Sequence, residues 1–218
     1  MAPISFQNTV LTCDNIACLR GDRLLFTHLS FQLKSGEVLM IKGSNGTGKT
    51  SLLRLLAGFL NPFSGKITRQ GNIAFTDEAL ALDRDISLEK ALAYWAALDG
   101  QRGAEKEAMD KMALLPLAQL PVRLLSTGQR KRAVLARLIT AHAPIWLLDE
   151  PANGLDRLSV KRLLHVIQDH LEKGGIALIA SHQALDLDPY PELSIEDFRP
   201  SLESQSIFWD LEPEISPS

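Results

Sequence analysis

At 218 residues with 45% hydrophobic side chains, the chain has the size of one large domain or two small ones and can bury a sizeable core. Its 23 Lys and Arg against 26 Asp and Glu give a net charge of −3, which speaks against a dedicated nucleic-acid binder. No stretch reaches the roughly 20 apolar residues of a spanning helix, and Met1-Ala2-Pro3-Ile4-Ser5 lacks the basic start and apolar block of a secretory signal. Cys13 and Cys18, in C-x4-C spacing, fit neither a disulfide framework nor a common zinc pattern and read as buried or half-buried thiols. The composition points to a reducing, cytoplasmic compartment.

Short apolar runs alternate with helical patterns, the mark of an α/β architecture. Residues 10–19, 23–26 and 29–33 predict strands of an opening antiparallel layer, with Gly21-Asp22 as a turn. Residues 38–41 predict a buried strand that enters a glycine-rich loop. A helix over 51–57 follows, stopped by Gly58. Ser64-Gly65 reads as a turn, and 66–68 and 72–75 as short strands. From about 79 to 125 no strand is apparent. Helices are expected over 88–98, behind the N-cap Ser87, and over 104–115, with Pro116 and Pro121 breaking the pattern. This is a small helical subdomain inserted into the α/β body. The body resumes with a helix over 128–140, a strand over 145–148, a helix over 158–173 and a strand over 176–180. The helix over 158–173 presents Leu163, Leu164, Ile167 and Leu171 on one face and ends at Gly174-Gly175. From Asp186 to Ser218 nine acids face the single base Arg199, a net −8 against +5 for the rest of the chain. The expectation for this segment is a solvated acidic tail.

Gly43-Ser44-Asn45-Gly46-Thr47-Gly48-Lys49-Thr50 fits G-x-x-x-x-G-K-[ST] between a hydrophobic strand and a helix. Glycines let successive backbone N–H groups turn inward on phosphate oxygens, and the helix aims its positive end at the same point. Lys49 supplies charge for the β- and γ-phosphates, and the Thr50 hydroxyl is a ligand for Mg²⁺. Ile145-Trp146-Leu147-Leu148-Asp149-Glu150 is an apolar strand ending in two carboxylates. Asp149 is placed to hold Mg²⁺, directly or through water, and Glu150 to orient or deprotonate the attacking water.

Leu125-Ser126-Thr127-Gly128-Gln129, followed by Arg130-Lys131-Arg132, resembles the signature motif and helix of the ABC ATPase superfamily. In order behind it come Asp149-Glu150-Pro151, Gly154-Leu155-Asp156, similar to the D-loop, and Ser181-His182, similar to the switch-histidine loop. The resemblance implies an ABC-type P-loop ATPase with a RecA-like mixed core, an N-terminal antiparallel β layer and a small helical subdomain, all in one ATP-binding domain over 1–218. It also implies that ATP and Mg²⁺ are the cofactors. Ser126, Gly128 and Gln129 would close over the γ-phosphate held by a second copy, so that two nucleotides are buried in a head-to-tail homodimer. His182 would contact the γ-phosphate and hold the attacking water. The Arg130-Lys131-Arg132 run then reads as a solvated helix face, with no nucleic-acid partner.

Three positions depart from the superfamily pattern. Arg20 stands where an aromatic residue usually stacks on adenine, and its planar guanidinium can stack instead. Glu78 stands where a glutamine usually reaches Mg²⁺ or its water, and Thr127 replaces a signature glycine. Tyr94 and Trp95 in the insert read first as core residues and second as a docking face for a membrane subunit. Arg23-Leu24-Leu25-Phe26, the P-loop phrase through Gly58, and Ala143-Pro144-Ile145-Trp146 resemble the ATP-binding export proteins of bacterial cytochrome c biogenesis. That subfamily implies a peripheral place on the cytoplasmic side of the inner membrane, a CcmB-type integral membrane subunit, other cytochrome c maturation proteins as partners, and a haem-handling step. The competing readings are the ATPase of another ABC exporter, moving a lipid, drug or peptide, and a non-transport ABC ATPase acting on DNA or ribosomes. The latter usually carries a long coiled coil or a second ATPase domain.

Overall fold

The structure is a computed structural model and describes residues 5–76, 82–182, 185–187 and 190–200. Strands β1 (Val10–Arg20), β2 (Arg23–Lys34) and β4 (Ser64–Gln70) form an antiparallel sheet in the order β2-β1-β4. The expected turn at Gly21-Asp22 joins β1 to β2, but β2 is one strand rather than two. His28 takes φ +57 inside it and pairs its Nδ1 with Asn15 Oδ1 at 2.9 Å, which kinks the ladder where the apolar alternation breaks. Ser64-Gly65 likewise opens β4 instead of forming a separate turn. Gly65, at φ +83, lies against the backbone carbonyls of Asp14 and Asn15, leaving no room for a side chain.

The second sheet is parallel, ordered β5-β6-β7-β3-β8, with β3 Val38–Lys42, β5 Ile73–Thr76, β6 Ile145–Asp149, β7 Ile176–Ala180 and β8 Glu192–Ser194. Strands β3, β6 and β7 are apolar apart from the terminal Lys42 and Asp149, because both faces are covered, as parallel sheets require. Helix α1 (Lys49–Ala57) inserts Leu52, Leu53, Leu55 and Leu56 between the two sheets and ends at Gly58, φ +82. On the other side, α2 (Leu88–Leu98), α3 (Ala104–Lys111), α4 (Thr127–Thr140) and α5 (Arg157–Glu172) build a second core around Leu88, Leu92, Met109, Leu135, Ile139 and Ile167.

Helix α3 stops at Lys111, four residues short of the expectation. Ala113 turns to φ +51, the Leu114 N–H bonds back to the Met109 carbonyl at 2.7 Å, and the Arg132 guanidinium caps the Met112 and Ala113 carbonyls at 3.0 and 3.1 Å. The expected solvated face at 130–132 is therefore corrected. Arg132 and Lys131 are half-buried, and Lys131 Nζ donates to the Asn153 carbonyl at 2.6 Å. On α5 the buried stripe is Leu163, Val166, Ile167 and His170, while Leu164 and Leu171 sit at its margin. His170 stacks flat on Trp146 at 3.8 Å, and burial pushes its pKa down to about 4. Cys13 and Cys18 are free, buried thiols, as expected, and burial pushes their pKa values up to about 12 and 11.

Candidate active site

The carboxyl ends of β3, β6 and β7 meet on one edge of the parallel sheet, the place where open α/β sheets build ligand sites. Gly43, Gly46 and Gly48 take φ values of +150, +79 and +110, which curl the loop after β3 into a cradle. Helix α1 begins behind Gly48 with no side-chain cap, so its first N–H groups stay available to an anion. Lys49 is buried, only 7% exposed, and curls back so that Nζ donates to the Gly43 carbonyl at 2.7 Å and the Ser44 carbonyl at 3.2 Å. Its charge is thereby held inside the loop.

The Thr50 hydroxyl donates to Asp149 Oδ2 at 2.6 Å, joining α1 to the end of β6. These two hard oxygen donors at the mouth of the cradle suit Mg²⁺. Among the described residues no cluster of three or more His, Cys, Asp or Glu side chains forms a metal cage. Glu150 follows at φ +47, a left-handed conformation that costs a non-glycine residue about 1–2 kcal/mol. Its N–H bonds to the Ala180 carbonyl at 2.8 Å, and its carboxylate meets His182 Nδ1 at 2.8 Å. The strained turn thus carries the carboxylate to the histidine at the end of β7. A cavity of about 300 Å³ lined by Leu25, Asn45, Gly48, Lys49, Asp149 and Glu150 opens between the loop and the end of β6.

The structure therefore gathers Gly43 to Thr50, Asp149, Glu150 and His182 into one site. It places Ser126, Gly128 and Gln129 at the start of α4, none of them lining that cavity. There Ser126 Oγ accepts from the Gln129 N–H at 3.3 Å, and Gln129 Oε1 accepts from the Ser126 N–H at 2.8 Å, a closed capping box. Thr127 lies within the helix, so its replacement of glycine carries no left-handed strain. Arg20 ends β1, exposed, opposite Arg23, while Leu25, two residues beyond Arg23, reaches the P-loop cavity. Glu78 lies outside the described residues. Two polar residues that sequence reasoning missed, Glu196 and Arg199, also reach the loop: Glu196 Oε1 accepts from the Ser44 N–H at 3.0 Å, and Arg199 pairs with Glu196 at 3.1 Å. Their only sequence signal was membership of the acidic segment.

A glycine cradle with a buried lysine, a threonine–aspartate pair and a carboxylate–histidine pair defines a P-loop nucleotide hydrolase. Residues 26–153 match the ABC transporter family, and the chain belongs to it, as an ATP-hydrolysing subunit. It is similar to the cytochrome c biogenesis ATP-binding export protein CcmA of Zymomonas mobilis, 64% identical over 206 residues, which cover 94% of this chain and 93% of that one. The protein of the same name from Sphingopyxis alaskensis is 51% identical over 188 residues, covering 86% and 97%. Among solved structures, a Pyrococcus furiosus protein provisionally assigned as an ABC transporter ATP-binding protein superposes with a TM-score of 0.77. That pair is 25% identical, covering 88% of this chain and all of the other.

Proposed function

We propose that the chain is the ATPase of a bacterial cytochrome c biogenesis export complex, held on the cytoplasmic face of the inner membrane by a CcmB-type subunit and powering a haem-handling step. The observation that carries this reading is the 64% identity to a CcmA protein across 94% of the chain. Gly43 to Thr50 bind the phosphates of ATP, Lys49 compensates their charge, and Thr50 and Asp149 hold Mg²⁺. The ion, when bound, neutralises charge on the β- and γ-phosphates. Glu150 accepts a proton from the attacking water, and His182, hydrogen-bonded to that carboxylate, steadies its direction and reaches the γ-phosphate. Glu78 is assigned to the same metal environment, and Arg20 to the base.

The second anion site, at Ser126, Gly128 and Gln129, serves the nucleotide of a facing copy. Gln129 is engaged in its own helix cap, and Ser126 Oγ accepts there while its proton stays free to donate to a phosphate. ATP binding then closes two chains head to tail. A groove of about 760 Å³ between α1, β5, α2 and α4, lined by Phe59, Phe75, Trp95 and Arg137, is the face assigned to the membrane subunit. Tyr94, 60% exposed beside it, belongs to this docking face rather than to the core; Trp95 lies half-buried, with the Arg137 guanidinium 4.6 Å above its ring. No helix among the described residues is long and apolar enough to cross a membrane, so a separate membrane subunit fits.

The test is genetic and biochemical. Deleting the gene is expected to abolish covalent haem staining of c-type cytochromes, with rescue by the wild-type copy and none by Lys49→Ala. Normal c-type cytochromes in the deletion strain would overturn the assignment.

A further inference from the structure

The stretch 191–199, part of the acidic segment, is built into the base of the phosphate loop. Strand β8 lies parallel to β3, pairing Met40 with Glu192 and Lys42 with Ser194, and Lys42 bridges to Glu192 at 2.5 Å. Ile195 is fully buried, and a Cβ added to Gly43 would come within 2.7 Å of its Cγ2. The next side chain turns onto Ser44. Glu196 Oε1 accepts from the Ser44 N–H at 3.0 Å and from the Ser44 hydroxyl at 2.6 Å, and Arg199 donates to the same oxygen at 3.1 Å.

The Ser44 N–H and the Gly43 carbonyl belong to one rigid peptide plane and point in opposite directions. Holding the N–H therefore fixes the carbonyl, and that carbonyl accepts from Lys49 Nζ at 2.7 Å. The following carbonyl, of Ser44, takes Lys49 Nζ at 3.2 Å and the Thr47 hydroxyl at 2.8 Å. Gly43, with no side chain and φ +150, puts little steric restraint on this plane, which is held by Lys49 Nζ at its carbonyl and by Glu196 at its N–H. The Arg199 partner offsets the carboxylate charge, so the grip does not set a bare anion beside the phosphate site. Hydrogen bonds from Ser44 also hold the Glu196 carboxyl below the usual glutamate range.

We propose that Glu196 is a positioning residue for nucleotide binding: by gripping the Gly43–Ser44 peptide it sets the carbonyls that aim the Lys49 ammonium into the P-loop. The inference rests on the nucleotide reading of that loop. The test measures ATP affinity by fluorescent-nucleotide titration, and KM and kcat for hydrolysis, in the full chain. Glu196→Ala is expected to raise Kd and KM about tenfold, the scale of one lost charge-assisted hydrogen bond, with kcat within about twofold. Glu196→Gln, whose amide oxygen accepts the same two bonds from Ser44, is expected to recover affinity to within about threefold of wild type. A merely structural role would lower melting temperature and active fraction without splitting KM from kcat, and that result overturns the proposal. So does an Ala variant that binds ATP like wild type, or a Gln variant as weak as Ala. Failure of the wild-type chain to bind ATP would instead break the nucleotide reading itself.

Discussion

Helices α1 and α4 begin at the two places where the sequence offers an anion site, and they begin differently. Helix α1 starts behind Gly48 with no side-chain cap and brings its own cation, the buried Lys49. Helix α4 starts behind Ser126 with both ends of a capping box closed. One start leaves its first N–H groups without a side-chain partner; the other has them bonded by its own side chains. Under the proposed function the first start binds nucleotide and the second meets the nucleotide of a facing copy, and each of the following measurements breaks or sharpens that separation.

The largest effect is expected at the chemical step. Glu150→Gln should keep ATP bound and slow hydrolysis by about 10²–10⁴-fold, as loss of a general base does, so that ATP-bound dimer accumulates in light scattering. Unchanged turnover would move water activation to His182. Lys49→Ala should weaken ATP by about 100-fold, because the loop loses a charge worth roughly two charge-assisted hydrogen bonds. Normal affinity, read by equilibrium dialysis, would remove α1 as the binding start.

A smaller effect is expected at α4. Ser126→Ala should leave ATP affinity of the isolated chain intact and cut saturated turnover about tenfold. Loss of the cap should also destabilise the fold by ~1 kcal/mol in urea titration. If affinity fell as far as in Lys49→Ala, the two helix starts would not be separable.

The smallest effect involves a third start, that of α5. Asp156 accepts from the Ser159 N–H at 2.7 Å, and this bonding lowers its pKa. A carboxyl with a depressed folded-state pKa contributes stability that is complete above its unfolded value and lost as pH falls through its folded value. The contribution should therefore be constant near pH 7 and fade only below about pH 4. Asp156→Asn, which keeps the acceptor without the charge, should flatten that portion of the acid-unfolding curve, whereas an identical curve would show that this cap carries no linked proton.

The parts legible in the sequence are those in which one short stretch states both geometry and chemistry. The P-loop glycines and the apolar β6 with its terminal carboxylates declare themselves locally, and the structure forms the expected loop and strand there. Elements that depend on distant partners were harder to read. His28 breaks the alternation of β2, yet the strand continues because Asn15 across the ladder accommodates the kink. Helix α3 ends early because Arg132, twenty residues onward, caps its carbonyls. Lys131 and Arg132 looked solvated because their carbonyl partners belong to other segments. Strand β8 is only three residues long, and its pairing with β3 spans some 150 positions, so no local period announces it.

That late pairing also bears on biosynthesis. Strand β3 has β7 on one side and β8 on the other, so during translation both of its margins wait, the second until residue 194 has emerged. An unpaired margin of this kind invites the wrong neighbour. A nascent chain stalled or clipped before that point would carry its phosphate loop on an uncovered rim, and the catalytic half of the molecule would be the last to become safe from aggregation.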